Sequence, residues 1–230
     1  KGGSVFSHTA YLDSVAEHWC ALVDDGYTNG IALPYTIRVG IKGLYTPNFS
    51  RYLEWLCLDK EDCKKPADLF KQLQFYFKVA SFNSQFIINE SYKTTFVYQL
   101  NDGLKEYNKL SKRMLKKFDK SEYIIKHSSN QIQEIIGFIH TNLSSKTRNL
   151  SAMDYNRFDK LVMSLQKENL LYVKAIFDKN GHIQGGAFFV EQNNSILYLK
   201  GAVSKDAQNE GSMYALIHEG ISLAKNKNKS

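Results

Sequence analysis

The sequence predicts an α/β fold in which mixed sheets are flanked by helices and the chain forms two halves. Segments with helical periodicity alternate with short runs of β-branched and aromatic residues. The second half follows the order β-α-α-β-β-β-α, and the first half follows helix, two strands, helix, two strands. Because Asn101-Asp102-Gly103 ends a strand and a basic helix follows it, we predict domains at 1–100 and 101–230.

The first half opens with a predicted helix over residues 8–22. Its apolar positions share one helical face, and they are Leu12, Val15, Trp19 and Leu22. Extended segments are predicted over 31–39 and 41–49, and Pro34 and Pro47 suit edge or bulge positions there. The remaining predicted elements are a helix over about 66–78 and two strands at 84–89 and 94–100.

The second half opens with a predicted basic helix over 104–118 and a short strand over 122–127. Two helices follow over 128–143 and 151–169, and the first of them has a buried stripe made of Ile132, Ile135, Ile136 and Ile139. Three strands and a last helix are then predicted, at 170–178, 182–191, 195–204 and 211–225, with strand turns at Asn180-Gly181 and Asn193-Asn194.

The formal net charge is +7 over 230 residues. A basic balance favours anionic partners such as phosphates, a nucleotide-bearing donor, RNA or a membrane surface, although a general solubility charge also accounts for it. Since no apolar run approaches about 18 residues, the sequence predicts no membrane-spanning helix.

The three cysteines are Cys20, Cys57 and Cys63. Their odd number and irregular spacing argue against a disulfide framework and against a C-x2-C zinc pair. We therefore predict free thiols, no metal site and a reducing, cytoplasmic setting. The histidines are scattered without ligand spacing, which also predicts no metal site.

A polar segment with a glycine joins the last strand to the last helix. A helix N-terminus carries free backbone N–H groups that attract phosphate, and Gly211 would let the backbone approach a ligand closely. Gln208, Asn209 and Glu210 supply polar side chains before it. A plain helix start with a glycine in the loop is the alternative interpretation.

Gln208-x-x-Gly211 followed by Ser212 and Met213 is similar to the Q/R-x-x-G-x-G/A motif of GNAT acyltransferases. The preceding order of strands and helices also resembles the GNAT core. The resemblance implies that the segment cradles the pyrophosphate of an acyl-CoA such as acetyl-CoA. It also implies that the donor thioester lies against Gly201, Ala202 and Val203, so the implied cofactor-binding set is Gly201, Ala202, Val203, Gln208, Asn209, Glu210, Gly211 and Ser212.

Two further stretches resemble the FemABX-like, two-domain branch of this superfamily in bacteria. The first carries a G-I-x-x-L-Y-x-P-x-F pattern, made of Gly40, Ile41, Leu44, Tyr45, Pro47 and Phe49. The second is a basic helix similar to one found between the two halves of such proteins, and it carries Lys112, Arg113, Lys116 and Lys117. Tyr45 and Phe49 are predicted to line an acceptor cleft, and simple packing is the alternative. Lys112, Arg113 and Lys116 suit a tRNA or another phosphate-bearing substrate, and a solvated lysine face is the alternative.

These resemblances imply an N-acyltransferase that transfers an acyl or aminoacyl group to an amine of a small molecule or a cell-wall precursor. An aminoacyl-tRNA is the alternative donor, which makes tRNA a candidate partner. An ordinary acyl-CoA N-acetyltransferase with a small-molecule acceptor also stays open. So does a GNAT-fold binding protein with a decayed donor site, which is favoured because Met213 replaces a small residue and no general base is evident. Glu210 is the weak candidate for that base.

A GNAT domain carries one more strand and helix after the loop–helix unit, whereas this sequence stops at "SLAKNKNKS". Without them the strand over 195–204 would leave one edge unpaired, which natural sheets avoid. We therefore expect the last strand and helix of the family to be missing from this sequence, or the edge to be covered by another part.

Overall fold

The structure is a computed structural model that describes residues 3–59, 63, 69–84, 107–144 and 150–227. Backbone contacts group the chain into two units. The first unit comprises Lys1–Thr94 and Asn156–Ser164, and the second comprises Thr95–Tyr155 and Leu165–Ser230. The predicted strands at 84–89 and 94–100 lie, apart from Ser84, outside the described residues, as does the predicted boundary near residue 101. The domain bounds at 1–100 and 101–230 stay a prediction.

The first unit contains a mixed sheet. Its described elements are a 3-10 turn at Val5–Ser7, α1 (Thr9–Val15), β1 (His18–Val23), β2 (Asn29–Arg38), β3 (Ile41–Tyr45), β4 (Trp55–Cys57), α2 (Leu69–Tyr76) and β5 (Val79–Ser81). The strand order is β1-β2-β3-β5, with β4 also paired to β2. The β3–β5 pair is parallel and the others are antiparallel. Leu69, Leu73 and Phe77 share the core with sheet residues such as Leu33 and Leu44, so α2 covers this sheet.

The helix predicted over 8–22 is wrong in its second part. α1 ends at Val15, and residues 18–23 form β1 instead. Trp19 pairs with Pro34 and Leu22 pairs with Ile31 on β2. A full ladder with β2 therefore overrides a helical periodicity that the short window shares with a strand. Among the described strands, only β1 pairs with the stretch of β2 that holds Pro34, between the parts paired to β4 and β3, so its missing N–H is tolerated.

The second unit follows the predicted order closely. Its described elements are α3 (Lys109–Phe118), β6 (Ile124–His127), α4 (Ile132–Ser144), α5 (Ala152–Lys167), β7 (Leu171–Phe177), β8 (Ile183–Gln192), β9 (Ser195–Val203), α6 (Lys205–Asn209) and α7 (Ser212–Asn226), although the middle of α5 belongs to the first unit. The four strands form an antiparallel sheet in the order β6-β7-β8-β9. The predicted α/β class with two halves is confirmed.

Helices cover both faces of the second sheet. On one face a Cβ at Gly186 would lie 2.5 Å from Ile135 Cγ2, which places α4 directly over β8. On the other face a Cβ at Gly220 would collide with the ring of Phe189, which places α7 over the same strand. The predicted isoleucine stripe of α4 is buried throughout, at 4% exposure or less. These contacts fix the position at which α7 begins.

The prediction of three free thiols is wrong for two of them. Cys57 and Cys63 form a disulfide with Cα atoms 5.4 Å apart, whereas Cys20 is free and exposed. A loop of this length brings two cysteines within bonding range locally, which their odd number in the sequence does not reveal. Among the described residues, no helix is long and apolar enough to cross a membrane.

Candidate functional site

The middle of β9 carries a bulge. Phe188 pairs with Lys200 and Phe189 pairs with Tyr198, so Leu199 has no partner on β8. A bulge bends its strand and recurs beside active sites. Within the described ranges β9 pairs with β8 alone, so its other edge has no strand beside it. The bulge therefore lies directly before the residues that the sequence predicts to hold a donor.

Gly201, Ala202 and Val203 are all buried. A Cβ on Gly201 would lie 2.7 Å from the Gly186 carbonyl oxygen and 3.0 Å from the Tyr198 hydroxyl. That hydroxyl donates to the Gly201 carbonyl at 3.4 Å, and burial raises the pKa of Tyr198 to about 12, so it stays a donor at neutral pH. Close strand packing thus explains why position 201 is a glycine.

The segment between β9 and α7 is helical, although the sequence analysis treats it as a loop. The short helix Lys205–Asn209 is capped by Ser204, whose side-chain oxygen accepts from the backbone N–H three residues later at 3.2 Å. The Ser204 hydroxyl also donates to Gln184 Oε1 at 2.9 Å, which ties the cap to β8. Serine at this position is an N-cap signal that sequence reasoning could have used. Gln208 and Asn209 are exposed on the last turn of this helix.

Gly211 is the N-cap residue of α7, and its φ of +85° lies in the left-handed region. A Cβ here would collide with the Met114 carbonyl oxygen of α3. The next residue, Ser212, is fully buried, and its hydroxyl has no hydrogen-bond partner within the described part of the chain. The first bond of the helix runs from the Ala215 N–H to the Gly211 carbonyl at 3.1 Å, so the N–H groups of residues 212–214 have no partner within the helix.

α3 is bonded to the segment that precedes α7. The Lys117 ammonium donates to the Asn209 carbonyl at 2.9 Å and lies 3.2 Å from Glu210 Oε1. A lysine at a helix C-terminus satisfies a carbonyl that has no partner within the helix. The structure therefore brings Lys117 together with Asn209, Glu210 and Gly211. The carboxylate of Glu210, the weak candidate for a base, is held in an ion pair.

The other predicted basic residues lie on the exposed side of α3. This helix is capped by Asn108, whose side chain accepts from the Ser111 N–H at 2.8 Å. Its inner side packs Leu115 and Phe118 into the core shared with α7. Lys112, Arg113 and Lys116 are exposed, as are Lys109 and Lys117. They project from the same short helix that holds the start of α7.

A cavity of about 260 Å³ lies between α3 and α7. Its lining is largely apolar and includes Leu115, Met213 and Ile217. At its wall, the Tyr107 hydroxyl and His218 Nδ1 are hydrogen bonded at 2.7 Å. Sequence reasoning missed this pair, because a contact between residues 111 positions apart leaves no local signal.

Tyr45 and Phe49 lie in the first unit and make internal contacts there. The Tyr45 hydroxyl accepts from the Glu17 N–H at 3.0 Å. Phe49 has a φ of +73°, and its carbonyl accepts from the Tyr11 hydroxyl at 2.7 Å. Its ring packs against Phe158 with centroids 5.0 Å apart. These contacts give both residues a packing role, and their predicted role in an acceptor cleft stays a prediction.

No group of three or more His, Cys, Asp or Glu side chains that could hold a metal ion occurs among the residues described here. The polar groups that could receive a ligand near α7 are instead backbone N–H groups and the Ser212 hydroxyl. Such donors suit an anion, because a helix N-terminus carries partial positive charge.

Comparison with known proteins gives likeness of fold without likeness of sequence. No protein-family model matches the sequence, and no curated protein matches it. The solved structure of FemX superposes with a TM-score of 0.63 at 8% identity, over 96% of this chain and 81% of that one. The chain therefore has a fold like that of FemX. A structure described as "Putative acetyl transferase from Pyrococcus furiosus" also matches, with a TM-score of 0.39 and 20% identity over 47% of this chain and 78% of that one, which is too slight a likeness to argue from.

Proposed function

We propose that this chain is an acyltransferase that transfers an acyl or aminoacyl group to an amine. The donor would lie against residues 201–212, and an acyl-CoA such as acetyl-CoA is the first candidate donor. The amine would belong to a small molecule or a cell-wall precursor. The FemABX-like fold supports this proposal by analogy, because proteins of one fold can have different functions. Support for the chemistry comes from the local geometry.

The start of α7 is the observation that carries the proposal. The Ser212 hydroxyl is fully buried and has no hydrogen-bond partner within the described part of the chain, beside N–H groups that the helix leaves unused. Leaving a buried hydroxyl unsatisfied costs about 1–3 kcal/mol. A phosphate oxygen bound at this point would satisfy both kinds of donor and would lie at the positive end of the helix dipole.

The reaction requires the amine nitrogen to attack the carbonyl carbon of the donor. The bond to the thiol or ribose oxygen then breaks, and the amine gives up a proton. Glu210 remains the candidate acceptor of that proton, because its carboxylate is the acidic group nearest in sequence to Gly211. Its ion pair with Lys117 would orient the carboxylate.

An aminoacyl-tRNA is the alternative donor, and the exposed cations of α3 favour it. Lys112, Arg113 and Lys116 project from a helix whose neighbouring Lys117 contacts the candidate site. Basic helices bind phosphate backbones with a strong dependence on salt.

A binding protein with a decayed donor site is the other alternative. Met213 favours it, because this residue lines an apolar cavity where the motif has a small residue.

The cytoplasmic setting belongs to this proposal. The disulfide between Cys57 and Cys63 weighs against it, because disulfides are rare where glutathione keeps thiols reduced.

Calorimetric titration of the 230-residue chain with acetyl-CoA tests the donor assignment. The informative variant is Gln208→Glu combined with Asn209→Asp, because both side chains are exposed and neither change alters packing. Two new carboxylates beside a bound pyrophosphate should weaken binding by at least about tenfold. The matched control is Asn193→Asp combined with Asn194→Asp, at the opposite end of β9.

Saturable binding that the Gln208→Glu/Asn209→Asp variant loses and the control retains would support an acyl-CoA donor at this site. Equal binding of acetyl-CoA by the two variants would indicate that CoA binds at another site. If folded protein binds no acetyl-CoA, titration with aminoacyl-tRNA follows, and the Lys112→Ala/Lys116→Ala variant should then reduce the salt dependence of binding. Binding of neither donor would leave the decayed binding protein.

A further inference from the structure

The turn between β2 and β3 carries apolar side chains into solvent. Val39 at its tip is fully exposed, and Ile37 and Ile41 on either side are 40% and 49% exposed. A soluble surface normally places glycine, asparagine or aspartate at such a turn. This tip therefore exposes three β-branched residues to water, where polar residues would cost less free energy.

The backbone at Val39 makes the arrangement more unusual. Val39 has a φ of +51° and Gly40 a φ of +76°, so both occupy the left-handed region. Gly40 does so freely, but a β-branched residue there is a strained outlier. Such strain costs about 1–3 kcal/mol and clusters at functional positions. A valine at this position stabilises nothing within the described fold, since its side chain is wholly in solvent.

The end of α2 and the start of β5, which pairs with β3, carry further exposed apolar residues. Val79 pairs with Gly43 on β3, and the Lys78 N–H donates to the Lys42 carbonyl at 3.2 Å. The last two residues of α2 are exposed, Phe75 at 76% and Tyr76 at 57%, and their ring centroids lie 5.2 Å apart. We call the exposed apolar residues here and at the turn the hairpin surface, and they are Ile37, Val39, Ile41, Phe75, Tyr76 and Val79.

The charges around the hairpin surface are positive. Lys42 and Lys78 flank it and are both exposed. Arg38 is also present, but its guanidinium is paired with Glu17 at 3.1 Å. The two segments that form the surface, residues 29–43 and 69–84, contain no Asp or Glu. A partner for this surface must therefore accept apolar and aromatic side chains and carry negative charge.

We propose that the hairpin surface docks the protein onto an anionic lipid bilayer. Aromatic and aliphatic side chains flanked by lysines are the composition that sits at a bilayer interface, with the apolar groups among the acyl chains and the ammonium groups at the phosphates. A fully exposed valine held outward by its turn suits insertion between headgroups. This inference does not depend on the proposed acyl transfer.

Vesicle flotation tests the proposal with the 230-residue chain and vesicles of equal parts phosphatidylcholine and phosphatidylglycerol. The decisive variant is Val39→Asp, since aspartate tolerates the left-handed backbone better than valine and the fold should keep or gain stability. Binding should fall at least about tenfold, because the variant loses an inserted side chain and gains a repelled charge. The control is Tyr27→Asp, at another exposed residue with positive φ, at the opposite end of β2.

The Lys42→Ala/Lys78→Ala variant should also bind at least about tenfold more weakly. Binding of the unaltered chain should fall as salt rises and should be weak on vesicles of phosphatidylcholine alone. The proposal is overturned if the unaltered chain does not float with anionic vesicles, or if Val39→Asp binds as well as Tyr27→Asp. It is equally overturned if light scattering shows that the chain is a dimer which Val39→Asp dissociates, since the surface would then be an interface between copies.

Discussion

Replacing Gly211 by alanine is expected to destabilise the second unit more than replacing Gly181 by alanine. The two glycines have nearly the same backbone conformation, with φ of +85° and +82°. A Cβ on Gly181 would meet nothing within 4 Å, whereas a Cβ on Gly211 would collide with the Met114 carbonyl oxygen. The pair therefore separates the cost of a left-handed backbone from the cost of a close approach between α3 and α7.

The magnitude follows from two contributions. An alanine in the left-handed region costs about 1–2 kcal/mol, partly offset by about 0.4–1 kcal/mol because alanine reduces the entropy of the unfolded chain. Both variants share this net cost. At Gly211 the obstructing atom is a backbone carbonyl of a helix, so relief requires α3 or α7 to move, and overpacking of this kind costs about 1–3 kcal/mol. Gly211→Ala should thus be about 1–3 kcal/mol less stable than Gly181→Ala.

Urea denaturation followed by far-UV circular dichroism measures the difference. Tryptophan fluorescence is unsuitable, because Trp19 and Trp55 both lie in the first unit whereas both glycines lie in the second. Each kcal/mol corresponds to about 2–4 °C in the melting temperature of a protein of this size. Equal stabilities for the two variants would refute the close approach of Gly211 to α3, and with it the geometry assigned to the start of α7.

Two other predictions concern the first unit. Hydrogen bonds lower the pKa of the Asp24 carboxyl to about 2, and the bond from the Asn29 side chain has the largest effect. NMR of the carboxyl group should show it titrating near that pH, and Asn29→Ala should raise its pKa. Because folding lowers this pKa, the stabilisation is present above about pH 4 and is lost as pH falls through about 2. In thiol counting under denaturing conditions, only Cys20 should react before reduction, and Cys57 and Cys63 should join it afterwards; three reactive thiols without reductant would contradict the disulfide.

Long patterns that repeat along one element were predictable. The four isoleucines of α4 recur at helical spacing over several turns, and all are buried as expected. The hairpin turn at Asn180-Gly181 was also predictable, because two strand runs flank a dipeptide that favours left-handed backbone. In both cases the signal lies within a dozen residues, so no distant contact is needed to interpret it.

Short stretches of sequence did not distinguish a helix from a strand. Trp19 and Leu22 fit a helical face with Leu12 and Val15, yet they belong to a strand, because pairing with β2 offers that segment a complete ladder of backbone hydrogen bonds. The break between extended segments at Gly40 was predicted, but the left-handed backbone of Val39 beside it was not, since a valine is not expected in that conformation.

The sequence by itself determined the order of strands and helices in the second half and the resemblance of the segment around Gly211 to a donor loop. Only the tertiary structure decided what that glycine contacts. It lies against Met114 of α3, close to the ion pair of Lys117 with Glu210, and the buried hydroxyl of Ser212 follows it. The physical reason is that backbone conformation has a local signature, whereas a close approach between α3 and α7, nearly a hundred residues apart, depends on how both pack against the same sheet.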